Sequence, residues 1–213
     1  PVQTYIIQVN VKGFKTVSTV ESVKNNFKEA NKYWSKKGIK FEPVSIIETK
    51  ANTKSLEKNL KWVENKYLQG LKIDVKKQKM KSKNKQRYRK ILHKMVNGTT
   101  NRNKNAINVF YLPHMPGKFA CGMAYTYSSI IDRRADEFKR KNAGYVFIGE
   151  KNGCISNGKV LGHELGHMFS LGHKETPQQD LMMWGSGKKV KDWQAEKLKK
   201  YHKRYLKRKL TIN

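Results

Sequence analysis

From Val20 onward the apolar side chains Val23, Phe27, Ala30 and Trp34 recur in steps of four and three, which places them on one face of a helix. The pattern predicts an amphipathic helix of about five turns that Gly38 closes. Ahead of it, Tyr5 to Val11 alternates apolar and polar positions as a strand does, and Gly13 ends it. Behind it, Ile39 to Ile47 is rich in β-formers, and Pro43 within the run predicts a bulge or a sheet edge. Ala106 to Leu112 and Gly144 to Glu150 predict two more strands, with a short one at Gly122 to Thr126. Between Thr53 and Asn105 the pattern loosens. Leu56, Leu60, Trp62, Val63 and Leu68 fit a helix; Tyr88, Ile91, Leu92 and Met95 fit a second helix or a solvated loop; Asn97-Gly98 is a turn signal. A further helix starts near Asn157, and Val190, Trp193, Leu198, Tyr201 and Tyr205 describe a last amphipathic one. Strands interleaved with helices in this order predict a mixed α/β domain.

The helix from Asn157 carries the chemistry. His163-Glu164-Leu165-Gly166-His167 puts two imidazoles four residues apart, hence on one helical face, and His173 follows six residues later from beyond the helix end. Three neutral imidazoles fill three positions around a tetrahedral Zn2+ and leave the fourth for water, the arrangement of a catalytic rather than a structural ion. Glu164 then stands beside that water as a general base and afterwards delivers the proton to a leaving amine. No Ser-His-Asp or Cys-His arrangement competes with this reading, and His93, His114 and His202 lack metal-ligand spacing. The residues predict a zinc-dependent peptidase.

The spacing is that of the extended signature H-E-x-x-H-x-x-G-x-x-H with a Met-turn downstream, and the chain thereby resembles the metzincins, in particular matrixin-like and adamalysin-like catalytic domains. In this resemblance Met182, nine residues after His173 in Asp180-Leu181-Met182-Met183-Trp184-Gly185, is the Met-turn residue that forms a hydrophobic floor under the metal ligands. The implied fold is α/β (α+β) of zincin type. It has a twisted mixed sheet with an edge strand over the cleft, an active-site helix, a Met-turn and a C-terminal helix. Gly122, Met123, Ala124 and Tyr125 are then the edge strand that pairs with an extended substrate backbone. The resemblance further implies one catalytic domain over 1–213, with an upper part to residue 172 and a small lower part from 173. Two positions depart from the family pattern. Ser170 stands where the signature has glycine, and a side chain forced to positive φ costs about 1–2 kcal/mol; Gly172 is close enough to take over the turn. Trp184 stands where some members carry an extra tyrosine ligand, and an indole only donates, so three protein ligands are expected.

Composition adds a second theme. The formal net charge is +30; Lys76 to Lys90 holds nine basic residues, and no Asp or Glu occurs between Val75 and Ile131. Such a field concentrates a protein on anionic surfaces, although abundant Lys, Asn and Ile together are also what an AT-rich genome writes. Two rivals to the peptidase follow: an inactive metzincin-like scaffold that binds polyanions (nucleic acid or an anionic surface), and a metallohydrolase of non-peptide amides or esters. Cys121 and Cys154 form a disulfide on one reading and stay buried thiols on the other. No run of residues is long and apolar enough to span a bilayer. Pro1 in first place marks a processed or trimmed chain, so a secreted monomer acting on proteins or peptides is expected.

Overall fold

The computed structural model describes residues 2–11, 14–51, 58, 96, 106–112, 122–125, 145–149, 157–169, 171–173, 180–182 and 189–210, with 10, 11, 14, 125, 145, 157 and 204–210 by backbone alone. The expected helices between Thr53 and Asn105, the basic run from Lys76 to Lys90, and Cys121, Cys154, Ser170 and Trp184 lie outside the described residues.

Strand β1 (Val2–Gln8) starts three residues earlier than the alternation predicts. Its side chains are buried on both faces, so the polar–apolar rhythm that marks a half-exposed strand is missing there. Asn10–Val11 and Phe14–Lys15, β2 and β3, pair antiparallel with each other instead of extending β1.

Helix α1 (Val20–Trp34) forms as the spacing requires, with Val23, Phe27, Ala30 and Trp34 all buried. Thr19 caps it reciprocally with Ser22: each backbone N–H donates to the other's hydroxyl, at 2.9 and 3.1 Å, satisfying two of the orphan donors of the first turn. A 3-10 turn (Ser35–Lys37) follows. The helix then ends in a Schellman closure at Gly38, where Gly38 N–H donates to Ser35 O at 2.9 Å and Ile39 N–H to Trp34 O at 3.3 Å.

Strand β4 (Pro43–Lys50) is shifted towards the C-terminus relative to the predicted Ile39 to Ile47. Ile39 and Phe41 are buried in the connection, and the Asn31 amide takes both main-chain groups of Phe41, at 2.8 and 2.9 Å. Pro43 opens the strand, where its missing N–H costs no ladder bond, and the β1–β4 register shifts between Val2 and Gln3.

With β5 (Ile107–Leu112), β6 (Gly122–Tyr125) and β7 (Tyr145–Gly149), the main sheet has the order β4-β1-β5-β7-β6. Its first four members run parallel, and β6 lies antiparallel on β7 at the edge. Helix α2 (Asn157–Met168) packs with α1 against one face. There Val23, Phe27, Trp34, Leu161 and Leu165 meet Ile6, Val109, Tyr111, Val146 and Ile148; each large apolar side chain so buried contributes about 1.5–3 kcal/mol. On the other face Tyr5, Phe110 and Phe147 stand in register across three strands, with ring centroids 5.2 and 5.4 Å apart.

One core position is poorly matched. The hydroxyl of Thr4 is fully buried in β1 and has no hydrogen-bond partner among the described residues. A buried unpaired donor is costly, whereas an apolar isostere is not. Thr4→Val is therefore expected to stabilise the fold by about 1 kcal/mol, read as a rise of about 2–4 °C in Tm.

Helix α3 (Asp192–Leu210) closes the described chain. Its inward face matches the predicted one at Leu198 and Tyr201, with Val190 buried just ahead of it, and departs from it at Trp193. Gln194, Ala195 and Leu198 are buried, while Trp193 is 49% exposed. The helix turns a polar side chain inward because Gln194 finds partners there. Lys37 pairs with Asp192 at 2.6 Å and ties the start of α3 to the end of the 3-10 turn. Among the described residues no helix is long and apolar enough to cross a membrane.

Candidate metal centre

His163 and His167 project from one face of α2, and the chain reverses directly after the helix to return His173 to them. Two bonds mark the reversal: Phe169 N–H and Leu171 N–H both donate to Gly166 O, at 3.1 and 3.4 Å. The three Nε2 atoms then form a nearly equilateral triangle with sides of 2.9, 3.0 and 3.1 Å.

The protonation pattern follows from the partners. His163 Nδ1 lies 2.7 Å from Leu181 O and His167 Nδ1 lies 2.6 Å from Leu171 O. A carbonyl only accepts, so each Nδ1 carries the proton and each Nε2 is a bare lone pair. Two bare lone pairs facing each other at 3.0 Å repel unless a cation lies between them. Zinc–imidazole bonds of about 2.0–2.1 Å place tetrahedral ligands about 3.3 Å apart, close to what the triangle shows. Spacing, tautomers and donor type all fit one metal ion held by His163, His167 and His173.

Burial holds the cluster neutral. It pushes His163 down to about 4, with the neighbouring imidazoles adding to the fall; His173 is also lowered to about 4 and His167 is lowered, in each case chiefly by desolvation. The consequence for the metal-free fold has a definite sign. Unfolded histidines bind protons near 6.5, whereas folded His163 and His173 do so only near 4, so the fold keeps its full stability above 6.5 and loses part of it as pH falls through that window. Tm of the metal-free protein is expected to drop between pH 7.5 and 5. A His163→Phe variant should show less of that drop.

Glu164, the next residue on the helix, is buried against β6 rather than facing bulk water. Its carboxyl accepts a hydrogen bond from the Ala124 backbone, and desolvation outweighs that bond and pushes it up to about 8. The approach of β6 depends on Gly122: a Cβ there would lie 2.6 Å from Glu164 Cγ and 2.8 Å from Val160 Cγ1. Gly122, Met123 and Ala124, predicted as an edge strand, thus sit where the predicted base is held.

Beneath the helix, Trp34 donates its indole N–H to Gly162 O at 3.0 Å, joining α1 to the middle of α2. Met182 is fully buried with its thioether against Gly166. A Cβ at 166 would overlap the Met182 sulfur and press on Trp34 Cζ2 at 3.2 Å. Gly166→Ala would otherwise favour the helix by about 1 kcal/mol; here the overlap is expected to win and cost about 1–3 kcal/mol, measurable as a lower Tm. Asp180, buried beside this turn, accepts from Met182 N–H and from the Gln194 amide. Sequence reading assigned Trp34, Gly166, Asp180 and Gln194 no part here. Gly166 carried a signal, since a glycine in mid-helix implies a close neighbour, and Trp193-Gln194 resembled the matrixin-like closing helix.

The model of metallopeptidase family M12B, described as reprolysin-like, matches residues 16–174, a span that includes α1, the strands β4 to β7 of the main sheet and all three histidines, with β1 ahead of it. No curated protein and no solved structure matches the chain.

Proposed function

The chain belongs to the reprolysin-like M12B metallopeptidases, whose metzincin-like fold and zinc dependence come with that membership, and on this premise we propose that it is a zinc metalloendopeptidase of metzincin type with His163, His167 and His173 as ligands and Glu164 as general base. The observation that carries this reading is the triangle of Nε2 atoms, two of them bare, with a buried carboxyl on the adjacent residue.

Bound zinc supplies Lewis-acid polarisation of the scissile carbonyl, a water of near-neutral pKa, and a positive charge that draws Glu164 back towards the carboxylate form. Glu164 takes the proton of the attacking water and hands it to the departing amine. Ala124 N–H holds one of its oxygens and so directs the carboxylate. Strand β6, Gly122 to Tyr125, offers its outer edge to an extended peptide, which binds by main-chain pairing rather than by side-chain identity alone. Met182 acts as the Met-turn floor. The remaining parts of the proposal are one catalytic domain over 1–213 divided near 172, a monomeric state and export from the cell.

Incubation of a mixed peptide library with the protein as purified and after zinc removal tests the reading. Internal cleavage that disappears on removal and returns with added zinc is expected. Stoichiometric zinc with no cleavage of any peptide would overturn the peptidase reading. It would leave the family scaffold as a polyanion binder, recognisable by strongly salt-dependent binding.

A further inference from the structure

We infer that Asp180 and Gln194 are positioning residues of the metal centre: together they orient the Leu181 carbonyl and, through it, the ring of His163. The inference rests on the reading of His163 as a metal ligand.

The argument begins with one peptide plane. Leu181 C=O and Met182 N–H belong to the same trans peptide and point in opposite directions. Asp180 Oδ1 accepts that N–H at 2.8 Å, so the carbonyl on the far side is aimed at His163, whose Nδ1–H it accepts at 2.7 Å. Leu181 N–H donates to Lys189 O at 2.8 Å and grips the preceding peptide as well. Gripping one end of a peptide with an anionic acceptor also polarises it, which strengthens the carbonyl as an acceptor and the imidazole as a donor of electrons.

Asp180 is itself held from α3. Both of its oxygens accept from Gln194 Nε2 at 2.8 Å, and Gln194 Oε1 accepts from Lys191 N–H at 2.9 Å. Asp180 is 1% and Gln194 0% exposed. No Lys or Arg pairs with this carboxylate among the described residues, so its charge is met by N–H groups alone. Removing water from a carboxylate is expensive, and an apolar pair would fill the same space at lower cost. What an apolar pair lacks is an acceptor for Met182 N–H, hence control of the plane that faces His163.

The chain of bonds has a polarity that an exchange of side chains can test. In Asp180→Asn the new amide turns a donor towards the Gln194 donor. In Gln194→Glu two carboxyls abut. In the double variant Asp180→Asn/Gln194→Glu three of the four bonds are remade, with the amide oxygen taking Met182 N–H, its nitrogen donating to the new carboxylate, and that carboxylate taking Lys191 N–H. Zinc affinity measured by competition with a chromophoric chelator is expected to weaken about 10–100-fold in each single variant and to recover in the double. The same samples, stripped of metal, are read by ring 15N shifts of His163 at pH 7.5, where loss of the Nδ1–H tautomer is expected in the singles alone. Singles that bind zinc and keep the tautomer as the parent does would overturn the inference, as would a double no better than its worse single. Should the singles not fold, the double decides: it is expected to fold and bind zinc, and its failure counts against the inference. A parent protein that binds no zinc would sink the ligand reading only, and the 15N shifts would then decide the positioning by themselves.

Discussion

Glu164→Ala is expected to retain its zinc and to lose peptide cleavage by about 10²–10⁴-fold in kcat, the usual contribution of a positioned general base. In the proposed site the metal is held through Nε2 atoms; the rings of His163 and His167 are oriented by Leu181 O and Leu171 O, and neither bond involves Glu164. Metal content measured on the assayed samples checks the first half of the result, and loss of zinc from the variant would argue against the assignment. Glu164→Gln should behave alike while keeping an acceptor for the Ala124 backbone, so a fold defect cannot mimic the outcome. A pH profile adds an independent check. The base works deprotonated, so activity rises with pH through its pKa; without metal that value is about 8, and the adjoining cation lowers it, so the acid limb of kcat/KM is expected below 8.

Gly122→Ala should lower kcat by about 100-fold with zinc content close to that of the parent. The added Cβ meets Glu164 Cγ at 2.6 Å and Oε1 at 2.9 Å, and Glu164 can make room only by leaving the acceptor position at Ala124. Displacement of a reacting group by about 1 Å costs about this much. The same Cβ also meets Val160 Cγ1 at 2.8 Å, so a lower Tm is expected beside the loss of kcat. Equal kcat in the variant and parent would mean that β6 does not position the base.

How much of this was legible in the chain depends on the range of the interaction concerned. The α1 face, its glycine closure and the His163–His167 pair are local, governed by the helical repeat, and the periodicity of the sequence predicted them. The strands were placed with larger errors. Burial on both faces erased the alternation in β1, and Asn31 drew Phe41 out of the expected strand ahead of β4. Trp193 shows a related failure. Hydrophobicity alone favours Trp193 for the interior, yet the polar Gln194 is the residue buried, because Asp180 and Lys191 N–H satisfy its amide.

The sequence by itself brought out the candidate ligands His163, His167 and His173 and the candidate base Glu164, since the spacing of His163 and His167 already places them on one helix face. Tertiary structure alone decided the state in which those groups are presented. Which imidazole nitrogen carries the proton depends on carbonyls at Leu171 and Leu181, and the elevated affinity of Glu164 for its proton depends on burial beneath β6. Protonation and orientation are set by neighbours that meet only when sheet, helix and turn close on one another, and no periodicity in the chain encodes such a meeting.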